Sequence, residues 1–266
     1  MLSRTVVRRQ GRRAGTRGRW ARWMPPMISF LIAAMIWQAV ALWNPYVIPT
    51  LDSIAGALIE DAGMFASNTM ITVVEIVVGA AMGIVLGFAL AVVMAEFPVV
   101  ERAVMPLAVM VMVTPIVAIA PALVVAFGFG IMPKFVVTAL VVFFPILMNA
   151  LAGLRAVDQG ALEVLRTLHA SRVEIFRTLR FPGSMPYLFV GLRTALPLAV
   201  VGAAVAEFVA AGQQAGLGSL VVTSAAQANL PVTWAAIALL CVLGVLLLGV
   251  VALARRRVLW WTGTPH

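Results

Sequence analysis

From Phe208 to Ala254 the chain carries no charged residue. Met27 to Leu51, Ala103 to Pro133 and Phe135 to Leu154 are equally bare. A bilayer core takes about 20 apolar residues per helix, and runs of this length fit a membrane and little else. Charged residues make up 11% of the chain and hydrophobic ones 63%, against about 25% charged in soluble domains. So few charges cannot cover a water-facing surface. The runs also lack the roughly ten-residue alternating segments of a transmembrane β-barrel. An all-α, polytopic membrane protein is expected.

Six spans can be counted. The first is Met27 to Leu51, with Trp37 and Trp43 suited to an interfacial belt. The second runs from about Thr69 to Ala95 and is interrupted only by Glu75. Ala103 to Pro133 is long enough for one helix with an irregular end, and Phe135 to Leu154 makes a fourth. Pro186 to Ala210 is the fifth, carrying Arg193 and Glu207. Gly212, Gly216, Gly218, Asn229 and Pro231 break the last bare run, which leaves about Val232 to Ala254 as the sixth.

The basic residues set the orientation. The first 22 residues hold eight arginines and no acid, and Arg255, Arg256 and Arg257 lie near the end. The loop after span two holds Arg102; the loop after span four, about 155–185, holds Arg155, Arg166, Arg172, Arg177 and Arg180. The other side receives only Lys134, at the edge of a short turn. The positive-inside rule therefore places both termini and the fourth loop in the cytoplasm. The net charge of +9 serves topology, and no nucleic-acid partner is expected. Ala39-Val40-Ala41 resembles a signal cleavage site, but removing span one would leave five helices and spoil the charge symmetry.

Between and within the spans, local patterns carry more. Leu51, Ile54, Leu58 and Ile59 approach a helical apolar face, with Thr50 or Asp52 able to cap it; an ordinary ordered loop is the alternative. Gly79, Gly83 and Gly87 recur every four residues, so they share one helix face and allow another helix close approach. Pro106, Pro115 and Pro121 punctuate span three, with Thr114 beside the middle one. Such breaks persist where protein or a water-filled cavity surrounds them, so they mark either a transport path or a packing kink. In the fourth loop Asp158 can cap a helix with apolar Leu162, Leu165 and Leu168. Ser171 and Glu174 form the capping box of a second helix, which Phe181-Pro182 should stop. Two short amphipathic helices joined near His169-Ala170 suit a groove on a partner protein or, alternatively, a surface of anionic lipid.

This loop resembles the signature loop of bacterial ABC importer permeases, E-A-A, three residues, G, nine residues, I-x-L-P. Glu163-Val164-Leu165 match its opening, with Val164 and Leu165 in place of the alanines, and Leu179, Phe181 and Pro182 its end, with His169 where glycine is usual. Thr114 to Lys134, Phe143 to Asp158 and the GLGSL after Glu207 resemble the nitrate, taurine and sulfonate branch, which includes riboflavin and pyrimidine permeases. Glu75 departs from the arginine common there.

Spans and charges together give a transmembrane domain over 27–254, with a basic cytoplasmic tail at 1–26 and a second cytoplasmic tail at 255–266. The resemblance, which runs from about Pro45 to the C-terminus, implies a permease in the bacterial inner membrane. It implies a homodimer around a central path, a cytoplasmic ATPase dimer and an external solute-binding protein, all within membrane lipid. Glu163, Val164, Leu165, Arg166, Leu168, His169, Ala170, Ser171 and Pro182 would then make the ATPase-coupling loop. Thr114, Pro115, Pro121, Asn149 and Glu207 are the candidates for the path.

No G-x-x-x-x-G-K-[ST] exists for nucleotide; Lys134 is the only lysine and follows Met132-Pro133. ATP would be bound by the partner, and no cofactor, metal site or catalytic residue is expected in this chain. Neither His169 nor His266 has a local metal-binding motif. Cys241 is expected to be a packed apolar residue. The competing function is an ion-gradient-driven transporter, which usually places paired ionisable residues near mid-bilayer.

Overall fold

The computed structural model describes residues 17–209 and 215–260, with side chains from residue 24 onward. Thr16 and most of the N-terminal tail, Gly212, and the end of the C-terminal tail with His266 lie outside the described residues. Two compact units divide after Ser53.

In the first unit, α1 (Arg17–Trp43) is followed by a turn that folds back on its end. The Trp37 indole N–H donates to the Pro49 carbonyl at 3.1 Å. The Gln38 side chain accepts from the Leu51 N–H at 2.9 Å. Gln38 thus meets an orphan donor at the start of α2 (Leu51–Glu60), the task expected of Thr50 or Asp52. A residue 13 positions back in sequence takes it because the turn brings the two together.

In the second unit, α2 packs Ile54, Ala57 and Leu58 over Phe65, Leu217 and Ala235, whereas Ile59 is exposed. The centre is a trio of long helices, α3 (Ala62–Glu96), α6 (Ile131–Arg155) and α9 (Phe181–Val209). Gly79, Gly83 and Gly87 face Thr138, Val142 and Ile146 in rising order, so α3 and α6 run parallel. Gly202, Gly191 and Gly153 mark the antiparallel α6–α9 seam, where the opposing residues are Thr138, Asn149 and Ser184. A Cβ on Gly83 would lie 2.5 Å from the Ala139 carbonyl oxygen. Only glycine permits that approach, as the four-residue spacing indicates.

Span three is two helices, α4 (Pro98–Val113) and α5 (Ile116–Phe127), bent by 101°. The expected single helix breaks in its middle at Thr114-Pro115. Proline drives its predecessor into extended geometry, and Thr114 has φ −73°, ψ 127°. The carbonyls this would orphan are served locally. The Thr114 N–H reaches the Val111 carbonyl at 3.2 Å, and its hydroxyl reaches that of Met110 at 2.9 Å. Pro106 and Pro121 stay within their helices.

Among the described residues five helices are long and apolar enough to cross a membrane, or six where the bent pair counts as one span. The chain is an all-helical polytopic membrane protein. Three further corrections concern its last third. Phe181-Pro182 does not stop the second loop helix. A π-helical turn, Phe176–Arg180, carries the chain into α9, with the Phe181 N–H bonded to the Phe176 carbonyl. The wider turn spares Pro182 the clash and missing donor that would break a regular helix. The glycine-rich stretch read as a break also contains a ten-residue helix, α10 (Leu217–Ala226), before α11 (Leu230–Val258). Asn229 caps α11 with Pro231 in its first turn. Cys241 on α11 is exposed rather than packed.

Candidate functional site

The loop after α6 folds into the expected elbow. Asp158 accepts from the Gly160 N–H at 3.1 Å and opens α7 (Gln159–Thr167). The Ser171 hydroxyl accepts from the Glu174 N–H at 3.3 Å, and the Glu174 carboxylate accepts from the Ser171 N–H at 2.7 Å. This reciprocal box starts α8 (Arg172–Ile175). The Ser171 N–H holds the Glu174 carboxyl below its ordinary range.

Between the two helices, His169 has φ 55°. Its N–H bonds the Arg166 carbonyl, and the Ala170 N–H bonds that of Leu165, both at 3.0 Å. These are the two bonds of a Schellman ending, which favours glycine at the left-handed position. His169 therefore occupies the place where the resembling loop has glycine, and the backbone turn is kept. Leu162 is buried and Leu165 half-buried. Val164 and Leu168 are 60% and 71% exposed one turn apart, with Val173 on α8 at 59%. Val164 and Leu168 form an open apolar strip at the end of α7, while Val173 borders a space between α8 and α3. Glu163 and Arg166 are exposed beside the strip, and Pro182 lies in the first turn of α9.

The break in span three borders a cleft of about 280 Å³ between α4, α5, α6 and α9. Thr114 lines it with Met112, Val141, Phe144, Pro145 and Leu198. No charged side chain lines it among the described residues. Pro115 stands at the break and Pro121 is exposed on α5. The Asn149 amide donates to the Pro145 carbonyl at 2.8 Å, which ties it to one wall. Glu207 is not brought to the cleft. Arg193 is exposed midway along α9, with no ion-pair partner among the described residues.

Glu207 instead belongs to a buried polar cluster that the sequence did not reveal. It is fully buried and accepts from the Thr72 hydroxyl at 2.7 Å and from the Gly218 N–H. Thr72 in turn accepts from the Leu217 N–H at 2.9 Å, and Asn68 from the Gly216 N–H at 2.8 Å. The orphan donors at the start of α10 are thus met by α3 and α9. The glycines follow from this: Gly216 has φ 145°, and a Cβ on it would collide with the Glu207 carboxylate. Beside them the Lys134 ammonium donates to Glu75 at 2.7 Å and to the Ala215 carbonyl at 3.3 Å. Lys134 is 1% exposed and Glu75 0%. Lys134 is therefore a buried partner inside α6, not a charge at the edge of a turn. The pair lies 59 positions apart, so no local pattern could have joined them.

One span broken at a proline beside a cleft, and a helical elbow between two long apolar helices, are features that suit a membrane transport permease. The family described as binding-protein-dependent transport system inner membrane component matches residues 83–260, and the chain belongs to it. The formylaminopyrimidine transport permease protein ThiX of Halalkalibacterium halodurans is 35% identical over 84% of this chain and 90% of its own length. The riboflavin transport system permease protein RibX of Chloroflexus aurantiacus is 32% identical over 60% of this chain and 59% of its own. The taurine transport system permease protein TauC of Escherichia coli is 28% identical over 85% of each. The chain is thus a multi-pass inner-membrane ABC importer permease, and permeases of this type work with an ATPase and a binding protein.

Proposed function

We propose that two copies of this chain form the membrane path of an ATP-driven importer. Both termini and the α7–α8 elbow face the cytoplasm, and lipid surrounds the spans. The elbow docks in a groove of a cytoplasmic ATPase pair, which binds the ATP; the permease itself carries out no catalysis and holds no cofactor. An external binding protein delivers the solute. The observation that carries this reading is the elbow itself: a Schellman ending and a capping box fix the turn, and Val164 and Leu168 stand exposed at the end of α7. The solute is proposed to be an uncharged heterocycle, as for the pyrimidine and riboflavin relatives. An apolar cleft with one hydroxyl, that of Thr114, suits such a ring better than a sulfonate.

The test is co-purification of the ATPase with the permease. Leu168→Asp and Val164→Asp each place a charge on the corner and should lower the recovered ATPase about tenfold or more. His169→Gly keeps the turn and should leave recovery unchanged. A corner that lies on lipid headgroups predicts normal recovery from all three, and that result would remove the elbow from ATPase docking.

A further inference from the structure

The helical stretch that links the elbow to α9 is not regular α-helix throughout. The π turn Phe176–Arg180 intervenes, and such turns interrupt the regular backbone ladder. Two other connections leave this turn, and both reach α3. Arg180 forms an ion pair with Glu96, the last residue of α3, with side chains 19% and 25% exposed. On the apolar side, Phe181 meets Phe88 of α3 edge-on at 5.9 Å between ring centroids, and Phe176 lies 6.0 Å from Phe181. A space of about 230 Å³ lies between α3 and α8, bordered by Val92, Glu96, Val173 and Phe176. The elbow therefore has room to move towards α3 while held to it at a charged point and an aromatic one.

We propose that the Glu96–Arg180 pair and the Phe88–Phe181–Phe176 stack form the joint through which displacement of the elbow turns α3. They are positioning residues for coupling, acting through α3 and not on the solute. α3 in turn packs without slack on α6 along Gly79, Gly83 and Gly87. Movement delivered at Glu96 is thereby passed to the wall of the Thr114 cleft. Close-packed seams of this kind shift as units rather than deform. This rests on the elbow being the ATPase-docking element.

The experiment uses the assembled permease–ATPase complex carrying a nitroxide at Val85→Cys, on the exposed face of α3, in a Cys241→Ala background. The spin-label distance between the two copies is compared without nucleotide and with ATP plus vanadate, which traps the closed ATPase. The unmodified joint should show a nucleotide-driven shift. Glu96→Gln and Arg180→Gln should keep ATPase association and hydrolysis within about twofold while reducing the shifted population about fivefold or more. The exchange Glu96→Arg with Arg180→Glu should restore it. If Glu96→Gln lowers the yield of folded protein, Phe88→Leu probes the same joint from the apolar side and should also reduce the shift. A full shift in the single variants would overturn the joint. So would loss of ATPase association in them, which would make the pair a docking or folding element, and so would failure of the exchange to rescue. If the unmodified permease bound no ATPase at all, the importer reading itself would fall, a result distinct from any of these.

Discussion

Replacing Lys134 by methionine is expected to destabilise the protein by about 3–5 kcal/mol, because Glu75 is then left buried without its counter-charge. Both side chains are closed off from solvent, and their 2.7 Å bond joins α3 to α6. The diagnostic variant is the double one. Lys134→Met combined with Glu75→Leu removes both charges, and apolar replacement of a whole buried pair is often near neutral. Most of the loss should return. Lys134 also donates to the Ala215 carbonyl, so a residue of about 1 kcal/mol should remain. Unfolding of the purified permease by a denaturing detergent reads both variants against the unmodified protein. A double variant as unstable as Lys134→Met would mean that the ion pair is not what the lysine provides.

Gly83→Val should cost about 3 kcal/mol or more. Its Cβ would sit 2.5 Å from the Ala139 carbonyl oxygen and 2.9 Å from the Val142 Cβ. Backbone cannot yield as a flexible side-chain end can, so α3 and α6 must part. Parting them loses dispersion contacts along the whole seam. Gly244→Ala and Gly249→Ala on α11 are the controls, since a Cβ at either meets nothing within 4 Å. Their stability should hold or rise slightly. Equal losses at Gly83 and Gly244 would show that the effect is a general intolerance of these helices and not close packing.

What could be read from sequence followed from periodicity and local capping. The four-residue glycine spacing identified the α3 face, because side-chain direction in a helix depends only on residue number. Ser171 and Glu174 were legible because a capping box is closed within four residues. The elbow position was legible from the resemblance, whose glycine falls at His169, and a Schellman turn needs one left-handed residue there. Pairings across the fold were not legible. Lys134 and Glu75, or Glu207 and Thr72, meet only when three helices are packed. α10 escaped notice because ten residues are too few for a span and its start is capped from other helices. Pro182 misled for a different reason: the rule that proline ends a helix assumes regular geometry, and the π turn, which ends two residues earlier at Arg180, changes that geometry. At span three the prolines marked the segment, but Pro106 and Pro121 look no different from Pro115 in sequence. Thr114 made the difference by serving the freed carbonyls.

ATP-driven import is tested most directly in sealed proteoliposomes holding the permease and its ATPase. ATP is enclosed on the ATPase side, and binding protein with labelled formylaminopyrimidine, riboflavin or taurine is supplied on the other. Label should accumulate only with both ATP and binding protein, with no imposed ion gradient, and a heterocycle should be the solute accumulated. Accumulation driven by an imposed proton or sodium gradient in the absence of ATP would contradict the importer mechanism and favour a gradient-driven carrier.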